Sequence, residues 1–207
     1  MCDITRMTAS NIGSIGDADV TFRRYDAASA RQIRAVVEAV YVGSYVDAIA
    51  SGDPFDSVET FMHRFDAYTS GSSFDLVVAF QGDDAVGQTW GWPLNERATT
   101  TGWWSGLLEE PEPGFTWEDG HRTFGLSEIM VLQDRAGKGI AHALHDQLLL
   151  GREEQRATLL VEPDNVHARR AYLHWGWRKV AQLRPGWDHA PLFDVLILPL
   201  PLRSLSR

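Results

Sequence analysis

The stretch LSEIMVLQDRAGKGIAHALHDQLLLG, residues Leu126 to Gly151, changes its hydrophobic period partway along. Ser127 to Leu132 is rich in apolar residues, as a strand is, whereas Ile140, Ala141, Leu144, Leu148 and Leu149 recur at helical spacing. Gly137 and Gly139 lie at the junction. The first turn of a helix has backbone N–H groups without partners and a partial positive charge, and glycines in front of it place no side chain in the way. The junction therefore reads as an anion site suited to a phosphorylated cofactor, held by backbone amides.

Three kinds of phosphate-binding turn are candidates, and they differ at identifiable positions. A Walker-type loop needs Ser or Thr after Gly-Lys, but Gly139 follows Lys138, and none of Gln133, Asp134, Arg135 and Ala136 is glycine. A dinucleotide fingerprint shares Gly137-x-Gly139 after a strand, with Glu162 ending the next apolar run where a ribose-binding acid would stand. Its third glycine position, however, is His142. The third candidate explains more of the chain. Glu128-Ile129-Met130-Val131 is followed by Gly137-Lys138-Gly139-Ile140-Ala141, and later by Asn165-Val166-His167-Ala168-Arg169-Arg170-Ala171-Tyr172-Leu173-His174-Trp175-Gly176-Trp177. In order and separation these segments resemble the GNAT acyltransferase superfamily, with its strand E-L-x-V-x-P, its turn R/Q-G-x-G-x-G/A and its N-x-x-A-x-x-x-Y-x-x-x-G-F. The resemblance is firm from about Phe124 to Leu198. It departs at one place: Ala136 stands where the family has Arg or Gln, Arg135 comes one residue early, and Gln133 replaces a common Pro.

The whole chain is consistent with one globular domain. It has 207 residues, 44% hydrophobic and 23% charged. Residues 1–19 read as a disordered or extended tail, and 20–201 as a single N-acetyltransferase domain. No stretch is apolar for long enough to span a bilayer, and the amino-terminal segment lacks a signal peptide's basic start and apolar centre. The single cysteine, Cys2, gives no internal disulfide. These features lead to the expectation of a cytoplasmic protein with no membrane partner. Nineteen basic residues against 28 acidic ones give a net charge of −9, which argues against nucleic acid and suits a cationic acceptor.

Along the chain, Val20 to Tyr25 alternates as a first strand, and Asp26 to Ser29 offers caps for a helix over Ala30 to Tyr41. Gly52-Asp53-Pro54 breaks the helical region before a further periodic run of Phe61, Met62, Phe65 and Tyr68. Residues 74–80 and 85–92 read as a hairpin around Gly82-Asp83-Asp84. From Pro93 to Arg122 regularity fails, in a segment rich in Trp and Glu; a loop of this length is functional or mobile. Then follow a strand (124–132), a helix (138–151), a strand (157–162), a helix (165–174) and two strands (177–183 and 192–198). The pattern predicts an α/β (α+β) fold with a mixed, mostly antiparallel sheet of about seven strands and helices on both faces. The resemblance adds the expectation that the fourth and fifth strands splay apart.

The resemblance implies an acetyl-CoA-dependent N-acetyltransferase. Cofactor contacts would come from the fourth-strand backbone at Ile129 and Val131, from Gly137, Lys138, Gly139, Ile140 and Ala141 around the turn, and from Asn165. Arg135 or Lys138 would supply the charge missing at Ala136. Tyr172 matches the family tyrosine that donates a proton to the departing thiolate; as a residue alone it is equally a packed aromatic. Glu128 is the candidate base, since a carboxylate in a partly desolvated cleft has a raised pKa, or else a partner for a cationic acceptor. His121 is the reserve base. Trp92 and Trp104, with His121, are candidate acceptor contacts, aromatic rings among acids being suited to an amine. His142, His145, His167 and His174 complete no recognised ligand spacing, so no metal is expected. The expected acceptor is a small-molecule amine, with a protein or peptide amine and a non-catalytic CoA-binding module as alternatives. A homodimer is compatible with everything in the sequence.

Overall fold

The computed structural model describes residues 20–100, 102–187 and 190–202. The expected tail, with Cys2, lies outside the described residues. Seven strands form one sheet in the order β1-β2-β3-β4-β5-β7-β6: β1 Val20–Asp26, β2 Asp75–Gln81, β3 Asp84–Pro93, β4 Thr123–Val131, β5 Arg156–Val161, β6 Arg178–Leu183 and β7 Phe193–Pro199. The pairs β1·β2, β5·β7 and β6·β7 are antiparallel, and β4·β5 is parallel. The chain groups into two compact units, one of residues 20–90 and 129–148, the other of 91–128 and 149–202. No described helix is long and apolar enough to cross a membrane.

In the first unit, the helical region expected over Ala30 to Tyr41 is three short helices: α1 Ala27–Gln32, α2 Arg34–Ser44 and α3 Val46–Ser51. Asp26 is itself the cap, its carboxylate accepting from the Ser29 N–H at 2.8 Å, so the helix starts earlier than the sequence suggests. Ile33 and Tyr45 leave helical geometry and divide the run. The periodic run becomes α4 Val58–Tyr68, capped by Ser57, which accepts from the Thr60 N–H. Phe61, Phe65 and Phe74 surround Trp90, with ring centroids 5.6–5.9 Å from it, and Tyr41 stacks on Phe61. The β2–β3 hairpin turns at Gly82, whose φ of +64° only glycine adopts freely. The unit closes with the end of β4 and with α6 Ile140–Leu149, which buries Ile140, Ala143, Leu144, Leu148 and Leu149.

In the second unit, β4 and β5 pair only over Thr123–Gly125 and Arg156–Thr158, although β4 runs on past Leu126 and β5 continues to Val161. This short ladder is how the expected divergence of the fourth and fifth strands shows in the register. The segment from Pro93 to Arg122 is more ordered than its sequence suggests. It holds α5 Arg97–Thr100, and Leu107 bridges Leu183 on β6. Leu94, Ala98, Trp104 and Phe115 form a core with Leu183 and Val195, against which Trp92, Trp103 and Leu107 pack. The unit is completed by α7 Val166–His174, β6 and β7.

Candidate active site

The turn after β4 is built by conformation. Gln133–Arg135 makes one turn of 3-10 helix, Ala136 is extended, and Gly137 and Gly139 have φ of +75° and +80°. Helix α6 therefore starts at Ile140, two residues later than the sequence indicates, because two left-handed residues cannot belong to a right-handed helix. A Cβ at either glycine would meet no atom within 4 Å, so the space ahead of the helix is open. Such a start favours an anionic group, because its amides lack partners and the dipole favours negative charge. Lys138 is exposed beside it, and Ile140 is buried under it. Arg135 lies 3.6 Å from the carboxylate of its neighbour Asp134, so its charge is already shared. Ile129, Val131 and Ala141 are half-buried.

The second unit holds the remaining chemistry. Asn165 caps α7, its side-chain oxygen accepting from the Ala168 N–H at 3.2 Å. About two turns further on, Tyr172 is buried, with Trp175 and Trp177 edge-on at 5.5 and 6.2 Å. Burial first, and then the negative charge of Glu128, push the Tyr172 hydroxyl well above the usual tyrosine range. Two residues 44 positions apart thus feel each other electrostatically, and the phenol stays protonated at any physiological pH. Glu128 itself is half-buried on β4.

The structure buries Trp104, named above as a candidate acceptor contact. It is 2% exposed in the core of the loop, and its indole N–H donates to Glu118 at 3.0 Å. Burial on all sides makes it a packing residue. Trp92 is half-buried and edge-on to Trp103, with centroids 6.1 Å apart. His121 is exposed, its backbone N–H donating to Asp119 at 2.8 Å. The acids of the loop also divide. Glu109, Glu110, Glu112 and Asp119 are exposed, whereas Glu118 is 1% exposed and paired with Arg156 at 3.3 Å. Arg156 donates further to the Phe115 carbonyl and to Thr123 Oγ1 and lies 4.3 Å over the Phe115 ring. Arg122 ties down the carbonyls of Gly114, Phe115 and Trp117. None of these roles has a sequence signal, since Glu118 and Arg156 stand 38 residues apart.

The comparisons agree with this architecture. The model of the acetyltransferase (GNAT) family matches residues 45–177, and the chain belongs to that family. No curated protein is a significant sequence relative. Among solved structures, the chain is similar to a candidate GNAT-family acetyltransferase from Desulfovibrio desulfuricans, with TM-score 0.60 and 16% identity, covering 87% of this chain and 98% of that one. It is similar to the ribosomal-protein-S18-alanine N-acetyltransferase of Escherichia coli, with TM-score 0.57 and 14% identity, covering 91% and 98%. It is also similar to a spermidine N-acetyltransferase of Vibrio cholerae, with TM-score 0.53 and 14% identity, covering 87% and 93%. At such identities the likeness is one of fold. The family uses acetyl-CoA, so the protein is an acetyl-CoA-dependent acetyltransferase.

Proposed function

We propose that this acetyltransferase is an N-acetyltransferase that moves the acetyl group directly to a primary amine of a small molecule. The observation that carries the reading is that one compact unit holds a buried tyrosine hydroxyl at Tyr172 on α7 and a half-buried carboxylate at Glu128 on β4. Transfer to an amine needs a group that takes a proton from nitrogen and another that stabilises the departing sulfur. Bound acetyl-CoA supplies the acyl group as a thioester. The amides after Gly137 and Gly139 would hold its pyrophosphate, with Lys138 adding charge. Glu128 accepts the proton that the acceptor ammonium loses to become the attacking amine. As the N–C bond forms and the C–S bond breaks, Tyr172 gives its hydroxyl proton to the departing thiolate and regains one from the nitrogen, which sheds its second proton as the amide forms. The exposed acids Glu109, Glu110, Glu112 and Asp119 favour approach of a cation.

A protein or peptide amine is the competing acceptor, and the fold alone does not separate the two: one structural neighbour is a ribosomal-protein alanine acetyltransferase and another a spermidine acetyltransferase, each 14% identical. The deciding experiment measures CoA release with acetyl-, propionyl- and succinyl-CoA against primary amines and peptides bearing free amino termini. Turnover of small amines above that of every peptide supports the proposal. Saturable turnover of peptides alone moves the acceptor to the protein class, and no turnover with any amine refutes an N-acetyltransferase.

A further inference from the structure

Helix α6 carries a group of ligating side chains that the acyl-transfer chemistry leaves unused. His142, His145 and Asp146 stand at spacings of three and four, and one ligating atom of each lies within 4.8 Å of the other two. The sequence sets metal aside for want of a carboxylate at a recognised spacing. The helix supplies it, because residues four apart share a face. Asp146 Oδ1 is 2.8 Å from His145 Nδ1 and 3.7 Å from His142 Nε2, and the two imidazole centroids are 5.9 Å apart.

The geometry points to a divalent transition-metal site on α6, with zinc as its natural occupant and water completing the coordination. Ligand bonds of about 2.0–2.2 Å in a tetrahedron place neighbouring donor atoms ~3.4 Å apart. The two separations that involve Asp146 bracket that value and the third is no more than 4.8 Å, so side-chain rotations of this size would bring all three atoms onto one ion. The His142 and Asp146 side chains are 45% and 47% exposed, whereas His145 is 2% exposed and its ring is held by burial. Two imidazoles and one carboxylate favour zinc, nickel or copper over magnesium and calcium, which prefer oxygen alone. The pairing of Asp146 with both rings has a purely structural alternative, a carboxylate that only orients the histidines. The test separates that alternative from a metal site.

Zinc chloride is titrated calorimetrically into the full-length protein, cobalt(II) is followed by its visible d–d absorption, and melting is measured with and without zinc. The expected result is one saturable site, tetrahedral cobalt bands and a zinc-dependent rise in Tm, since an ion bound only by the folded chain stabilises it. His142→Ala and Asp146→Asn, at exposed positions where folding is readily kept, should each weaken zinc by about 10–100-fold or more. His63→Ala, an exposed histidine on another helix, should leave the affinity unchanged. No saturable zinc binding, or affinity equal to wild type in folded His142→Ala and Asp146→Asn, overturns the site. None of these readouts uses acyl transfer, so the result stands apart from the proposed function.

Discussion

Replacing Tyr172 with Phe removes one oxygen and little else. The ring keeps its edge-on contacts with Trp175 and Trp177, and no cavity larger than a hydroxyl is left, so the fold should hold. What disappears is the only proton that the Tyr172 side chain can present to the leaving sulfur. Loss of a general acid costs about 10²–10⁴-fold in rate; with a thiolate, a good leaving group that needs the acid less, the range moves down to roughly 10–1000-fold, or about 1.4–4 kcal/mol of barrier. The fall should appear in kcat, with the KM for acetyl-CoA near that of wild type, in a steady-state assay of CoA release on the best amine found. A second readout concerns stability. The folded-state pKa of Tyr172 is raised, so its contribution is fully present below the unfolded value of about 10 and is lost as pH climbs from there toward the folded value. Wild type should therefore lose stability above pH ~10 more steeply than Tyr172→Phe in urea unfolding. Unchanged turnover in the variant would refute the role of the hydroxyl and leave Tyr172 as packing.

Gly139→Val should weaken acetyl-CoA sharply in calorimetry, because a β-branched residue at φ +80° is strained and its side chain enters the open space ahead of α6; unaltered affinity in a folded variant would remove the turn from the cofactor site. Glu118→Ala should cost about 3–5 kcal/mol in urea unfolding, since it leaves the Arg156 guanidinium largely buried without its counter-charge; a loss below 1 kcal/mol would mean that water or the Phe115 carbonyl already satisfies Arg156.

The sequence reveals what is local and conceals what is assembled. The period change at Gly137 and Gly139, the cap at Asn165 and the alternation of the strands each depend on a few neighbouring residues, and all are visible in the chain. Element ends shift by one to three residues where capping and left-handed glycines, not hydrophobicity, set them. The segment from Pro93 to Arg122 is different: its order rests on Arg156, Leu183 and Val195, all more than 30 residues downstream, so composition alone makes it look like a loop. For the same reason Trp104 and Glu118 look available to a ligand in the sequence, although each is buried on the other.

The coupling of Glu128 to Tyr172 has a consequence for the order of proton transfers. The Glu128 charge helps to hold the Tyr172 proton in place. Once Glu128 takes the amine's proton it is neutral, that hold is released, and the hydroxyl becomes a better acid at the stage when sulfur must leave. Glu128→Gln mimics the neutral state permanently. It should bring the tyrosine titration, followed by ultraviolet difference absorbance, down toward the ordinary tyrosine range without reaching it, because burial is the larger cause. It should also abolish the rise of rate with pH that a base imposes, while acetyl-CoA binding is kept. If Glu128 only pairs with a cationic acceptor, the acceptor KM rises and turnover is little changed. A variant with the wild-type pH profile, acceptor KM and tyrosine titration would defeat both roles and separate Glu128 from the chemistry of Tyr172.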